Sequence, residues 1–196
     1  KYNMRIKIKE KALFKNLIRK NLKIKLEKIN SFCTDSREIK KNDIFIPIKG
    51  DNIDSHKFIH DVLDKKASIV FSEIEFNNKN VIKVQSTKQT LKTLSIQWMK
   101  FFKKPIIGIT GTNGKTTTKE IINQIFNYKY KTNYTQGNYN SSIGLPINLF
   151  NFSLDADITI LEMGANNPGE IQYLCDISKL DYSLITNIHS AHIGNF

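Results

Sequence analysis

The 196-residue chain has 40% hydrophobic residues and a formal charge of +12, so it can bury a core beneath a strongly basic surface. No apolar run is long enough to cross a bilayer, and the opening KYNMRIKIKEK lacks the apolar stretch of a secretory signal. Cys33 and Cys175 lie too far apart for a disulfide framework or a metal-binding spacing, and these exclusions together point to the cytoplasm. The positive charge is almost all lysine, accompanied by many Asn and Ile, and the only arginines are Arg5, Arg19 and Arg37. Arginine is the better reader of bases and phosphates, so no nucleic-acid partner is expected. A monomer is expected.

The elements alternate along the chain. Ala12 to Lys20 has helical spacing, with Leu13, Leu17 and Ile18 on one side. Asp43 to Ile48 reads as a buried strand ended by the turn Lys49-Gly50-Asp51-Asn52. His56 to Lys65 reads as a helix capped by Ser55. Ser68 to Ser72 and Asn80 to Val84 are short strands. Thr87 to Phe102 is a longer amphipathic helix, and its basic end Lys103-Lys104-Pro105 suits a helix C-terminus followed by a breaker. A domain boundary is placed there, giving domains 1–104 and 105–196. After Pro105 come strand Ile106 to Thr110, helix Lys115 to Tyr128, strand Lys131 to Thr135, strand Asp157 to Leu161, helix Pro168 to Ile177 and strand Tyr182 to Thr186. Strands alternating with helices imply an α/β fold with a parallel sheet, whose ligand belongs at the carboxyl ends of the strands.

The segment IIGITGTNGKTTTKE carries the strongest chemistry. A buried strand leads into Gly111-Thr112-Asn113-Gly114, and Lys115, Thr116 and Thr117 open a helix. Glycines let successive N–H groups curl toward phosphate oxygens, and the helix N-terminus adds partial positive charge. Lys115 offsets charge on the outer phosphates, and the Thr116 hydroxyl suits Mg²⁺. The spacing departs from GxxxxGK[ST], because Ile109 stands where that pattern requires Gly. Glu162 ends an apolar strand and is a better metal ligand than Asp157, which sits at the strand's start. His189 and His192 follow the last strand, and either one could reach metal or phosphate. Gln136 to Gly144 is a polar loop at a fourth strand end, offering donors and acceptors.

With these residues assembled, the chain resembles the Mur ligases of peptidoglycan synthesis, within them the branch that joins D-Ala-D-Ala to a UDP-MurNAc-tripeptide. The resemblance rests on TGTNGKTTTKE, GNYNSSIGLP, EMGANNPGEI and NIHSAHIGNF, which occur in the family's order, and on TDSREIKKNDIFIPIKGDNIDSHKFI near the start. It implies a small N-terminal α/β UDP-sugar-binding domain followed by part of a P-loop parallel-sheet ATPase domain. It also implies ATP and Mg²⁺ as cofactors and an acyl-phosphate route to the amide. By the same resemblance Gly111 to Thr117 bind ATP, and Thr116, Glu162 and His192 surround the metal, which selects His192 over His189. Lys115, Asn138 and His192 are then the catalytic set. Asn138, Asn140 and Ser141 face the acyl phosphate or the peptide, and Ser36, Arg37, Asp54, Ser55 and His56 hold the UDP moiety. Ser141 stands where the family usually has Asn, and Gly194 where many members have Glu. The family's carbamylated lysine, adenine contacts and C-terminal domain lie past Phe196, so no turnover is expected of the 196 residues by themselves. The competing readings are a MurE-like or folylpolyglutamate synthase-like ligase, a P-loop nucleotide-binding module without ligase activity, and a basic nucleic-acid binder.

Overall fold

The computed structural model describes residues 4–50 and 54–189. The chain forms two compact units, Lys1–Leu94 and Ser95–Phe196.

In the first unit the elements are β1 (Arg5–Lys7), α1 (Lys11–Leu22), β2 (Ser31–Cys33), β3 (Ile44–Phe45), a 3₁₀ turn (Ser55–Phe58), α2 (Ile59–Asp64), β4 (Ile69–Ser72), β5 (Val81–Lys83) and α3 (Thr87–Met99), the last running across the division. The strands lie in the order β1-β2-β3-β4-β5. β1 is antiparallel to β2, and the other neighbours are parallel. Phe14 and Ile18 of α1, Phe32, Ile44 and Phe45 of the strands, and Ile59 and Val62 of α2 are wholly buried.

Two local expectations shift here, and two strands are added. β1 and β2 went unread because three-residue strands carry too little alternation to declare a period. β1 is pinned instead by a tertiary contact: Arg5 Nε and Nη2 donate to the two oxygens of buried Asp43 at 2.7 and 3.0 Å. The strand expected over Asp43 to Ile48 pairs only through Ile44 and Phe45. Asp54, and not Ser55, caps the turn that leads into α2, its carboxylate accepting the His56 N–H at 2.9 Å. Asp is a strong N-cap, because its carboxylate reaches the orphan N–H two residues on.

The second unit contains β6 (Ile106–Thr110), α4 (Lys115–Asn127), β7 (Thr132–Tyr134), α5 (Gly144–Leu149), β8 (Ile158–Glu162), α6 (Glu170–Ser178) and β9 (Tyr182–Ile185). All its strand pairs are parallel, in the order β7-β8-β6-β9. From β6 the chain crosses to β7 at one edge, returns through β8, then crosses to β9 at the other edge. The direction of crossing therefore reverses between β6 and β8, and a crevice at their carboxyl ends is the natural ligand position. α5 was not anticipated, since its residues are buried throughout and show no polar face to reveal a helical period.

The division between units falls inside α3, between Leu94 and Ser95, whereas the sequence pattern breaks at 104/105. The cause is the last turn of that helix. Trp98 Nε1 donates to Leu149 O at 3.0 Å, and its ring lies 5.4 Å from that of Phe150. A breaker such as Pro105 marks where a helix stops, not which core its final turn joins. Among the described residues no helix is long and apolar enough to cross a membrane.

Candidate nucleotide and metal site

β6 is an apolar, β-branched run flanked by β8 and β9, and it delivers Gly111 to the carboxyl edge of the sheet. Gly111 sits at φ 136°, and a Cβ added there would lie 2.1 Å from Thr186 Oγ1. Only glycine takes that backbone in that space. Gly114, at φ 78°, forms the left-handed N-cap of α4. The first helical bond runs from Thr118 N–H to Gly114 O at 2.9 Å. The N–H groups of Lys115, Thr116 and Thr117 therefore precede the helix's own ladder and are the orphan donors of a helix N-terminus, where anions bind. Lys115 Nζ donates to Gly111 O at 2.6 Å and Thr112 O at 2.9 Å, folding its ammonium back over the loop. Thr116 and Thr117 are exposed.

A second segment fixes the loop. Thr112 N–H donates to Asn187 O at 3.1 Å. Asn187 grips the backbone of Asn113 at both ends: its Oδ1 accepts the Asn113 N–H at 3.0 Å and its Nδ2 donates to Asn113 O at 3.2 Å. Thr186 Oγ1 donates to the same carbonyl at 2.6 Å, and the Thr112 hydroxyl accepts from His189 N–H and donates to His189 O, each at 3.0 Å. Thr112 and Asn113 thus spend their backbone N–H groups inside the protein. Of the seven residues expected to bind phosphate, these two are therefore engaged within the protein, while Lys115 to Thr117 carry the orphan donors of the helix start. Thr186 and Asn187 were missed, since nothing in a TN dipeptide after a strand says which loop lies beside it.

Beside the loop, β8 ends in Glu162, whose residue is only 2% exposed. Its Oε1 accepts from Asn140 Nδ2 at 2.7 Å, and its backbone N–H donates to Thr135 Oγ1 at 3.0 Å. Oε2 is buried and receives no hydrogen bond; Lys119 Nζ stands 3.6 Å away. Lys119 was also missed. Asp157 lies at the opposite end of β8, where its Oδ2 accepts from Lys131 N–H at 3.0 Å, as expected of an acid at a strand's start. Thr116 and Glu162 suit a hard cation that uses few protein ligands, and an orphaned carboxylate oxygen is the feature such an ion would complete. No group of three or more His, Cys, Asp or Glu poised for a metal occurs among the described residues, and His192 lies outside them.

The loop after β7 divides its expected roles. Asn138 is exposed. Asn140 holds Glu162, and Ser141 Oγ accepts from Gly144 N–H at 3.1 Å, closing the turn before α5.

In the first unit, of the expected sugar-nucleotide residues, Asp54 and His56 pair with each other and Arg37 pairs with its neighbour Asp35. Arg37 clasps Asp35, with Nη2 to Oδ2 at 2.6 Å and Nε to Oδ1 at 2.9 Å, while its side chain stays 74% exposed. That side-chain bond holds the Asp35 carboxyl below its ordinary value. Asp54 is also held low, first by the His56 backbone N–H and then by the imidazole, whose Nδ1 lies 2.6 Å away. His56 Nε2 accepts from Glu73 N–H at 3.1 Å, so the ring proton is assigned to Nδ1 and donated to Asp54. Both ring nitrogens are spent on the fold. Lys65 Nζ donates to Ser36 O at 2.8 Å and anchors that turn.

The relationships to known proteins agree with this geometry. The Mur ligase middle domain family matches residues 109–196. The chain is 37% identical over 171 residues to UDP-N-acetylmuramoyl-tripeptide–D-alanyl-D-alanine ligase of Synechocystis, a match covering 85% of this chain and 38% of that protein. Its structure resembles that of the MurF ligase from Thermotoga maritima in complex with ADP, with a TM-score of 0.77 and 35% identity over 83% of this chain and 38% of that one. It also resembles a MurF crystal structure from Acinetobacter baumannii, with a TM-score of 0.83 and 27% identity over 99% of this chain and 43% of that one. The chain spans less than half the length of each of these relatives. A family match across the phosphate-loop domain, joined to identity and fold over most of the chain, makes this protein a member of the Mur ligase family.

Proposed function

We propose that the complete gene product is a cytoplasmic, ATP-dependent amide ligase that joins D-Ala-D-Ala to a UDP-MurNAc-tripeptide. The observation that carries this reading is the convergence of a phosphate loop, an orphaned carboxylate oxygen and an Asn-bearing loop at adjacent strand ends, in a chain related over most of its length to such ligases. A peptide carboxylate is a poor acyl donor. Transfer of the γ-phosphoryl group of ATP to that carboxylate releases ADP and installs a leaving group. The amine of D-Ala-D-Ala then attacks the acyl carbon, loses a proton, and phosphate departs. In this scheme the protein supplies position and charge and forms no covalent bond itself. The N–H groups of Lys115, Thr116 and Thr117, with the Lys115 ammonium, hold the phosphates. Thr116, Glu162 and His192 would hold Mg²⁺, which when bound offsets charge on the transferring phosphoryl group. Asn138 faces the reacting carboxylate, and Asn140 holds Glu162 in place. The first unit binds the UDP end, with Arg37 as its exposed forked cation.

The test is an assay of the complete gene product for phosphate release dependent on both the UDP-MurNAc-tripeptide and D-Ala-D-Ala. Glu162→Gln is expected to lower turnover at least about 100-fold with the fold retained, in the range seen when one charge-stabilising group is removed from an active site. Release that ignores D-Ala-D-Ala, or a loss that only tracks lost folded protein, would sink the reading.

A further inference from the structure

Among the described residues Lys119 is a lysine whose side chain the fold buries completely. It lies three residues after Thr116 and four after Lys115, so it shares their side of α4, one turn deeper. Its Nζ donates to Thr135 O at 2.7 Å, pairs with Glu120 Oε1 at 3.0 Å and stands 3.6 Å from Glu162 Oε2. The ring of Tyr134 is 5.7 Å from the ammonium. Thr135 also accepts, through its backbone O, from Lys119 and offers its Oγ1 to Glu162 N–H at 3.0 Å, so one residue of the β7 end ties the cation and the carboxylate together.

The charges explain why this arrangement exists. A buried carboxylate without a cation is costly, and so is a buried ammonium without an anion. Glu162 has one oxygen satisfied by the neutral amide of Asn140, and the other, which receives no hydrogen bond among the described residues, stands 3.6 Å from Lys119 Nζ. At 3.6 Å that contact is a charge contact and not a hydrogen bond, so the ammonium compensates the carboxylate without consuming its lone pair. Lys119 has two firm acceptors elsewhere and need not move when Glu162 takes another partner.

We propose that Lys119 is a positioning residue: the resident countercation of Glu162, which keeps the carboxylate in place at the end of β8 when no metal is bound and leaves Oε2 open to an arriving divalent cation. This inference rests on the metal role proposed for Glu162. It assigns Lys119 no contact with substrate or nucleotide.

The test is a double-mutant cycle in the full chain with Lys119→Met, Glu162→Gln and both together, read by thermal unfolding with and without Mg²⁺, and by calorimetry of ADP at a series of Mg²⁺ concentrations. Lys119→Met is expected to lower Tm by roughly 10 °C, because it strands a buried charge. The double variant should recover more than half of that loss. Mg²⁺ alone should raise the Tm of Lys119→Met more than that of the wild type, since the uncompensated carboxylate then prefers the ion. Additive losses would overturn the inference, because a lysine that served only to tie α4 to Thr135 would be indifferent to residue 162. An equal response to Mg²⁺ in wild type and Lys119→Met would overturn it too. If Lys119→Met fails to fold, a folded double variant supports the pairing and an unfolded one refutes it. If Glu162→Gln leaves the Mg²⁺ dependence of ADP affinity unchanged, the metal reading of Glu162 falls, and the inference falls with it; additivity alone leaves that reading standing.

Discussion

The two units treat their polar residues in opposite ways. In the first, charged residues expected to meet a ligand are engaged by neighbours in the fold: Arg37 clasps Asp35, and His56 is held between Asp54 and the Glu73 N–H. In the second, the strand ends leave bonding capacity over: the donors that open α4 precede its ladder, and Glu162 Oε2 has no hydrogen bond. A polar cluster that closes on itself rigidifies a turn, whereas one with an orphaned buried atom carries a cost that a ligand can remove. On the proposed reading, the second unit carries the chemistry and the first would meet its ligand mainly through exposed groups on preformed turns.

The largest effect that sharpens this contrast is expected at Lys115. Replacing it by Ala should weaken Mg·ADP binding by at least about 100-fold, measured by calorimetry, because it removes the ammonium proposed to meet the phosphates and the clasp on Gly111 and Thr112. Equal affinities for the two proteins would remove the phosphate loop from the site and the comparison with it.

Next is Gly111→Ala, which places a methyl group against Thr186 Oγ1 in a backbone conformation that resists side chains. A loss of about 1–3 kcal/mol from strain alone is expected in denaturant unfolding, together with weaker nucleotide binding. The more distant Gly114→Ala meets no atom within 4 Å of its added Cβ and should cost less than Gly111→Ala, through its φ alone. The reverse order would show that the bracing by Thr186 to His189 does not set the loop.

The smallest effect lies in the first unit and depends on pH. Asp35 and Asp54 both titrate below their ordinary value of 3.8 when folded. A carboxyl with a depressed folded value contributes stability that is present above the unfolded value and lost as pH falls through the folded one. Acid should therefore destabilise this unit below about pH 3.8, and Asp54→Asn should flatten that limb while leaving Mg·ADP binding at the phosphate loop of the second unit unchanged at neutral pH. An unaltered acid limb would mean that the Asp54–His56 pair does not hold the turn.

Much of this was legible in the residues. The strand, glycines, lysine and threonines of the phosphate loop are consecutive, and each acts through local backbone conformation, so their order declares their geometry. Glu162 was legible for a related reason: an acid at the end of an apolar strand must emerge at the sheet's carboxyl edge. The short strands β1 and β2 were not, because their existence depends on the Arg5–Asp43 pair and on cross-strand bonds between distant segments. The sequence points to Ser55 as the cap where its neighbour Asp54 caps, a shift of one position that composition does not resolve.

The amino-acid sequence by itself determined the α/β alternation, the phosphate loop at the end of β6 and the carboxylate at the end of β8, since helical period, strand period and glycine backbone freedom are properties of contiguous residues. Only the tertiary structure decided that Lys119 and Asn140 meet Glu162, that Asn187 grips Asn113, and that Arg37 and His56 turn to their own neighbours. Those pairs depend on strand order. β8 lies between β7 and β6, and β9 closes on the far side of β6, so which loops face one another is set by how the crossovers run and not by any spacing along the chain.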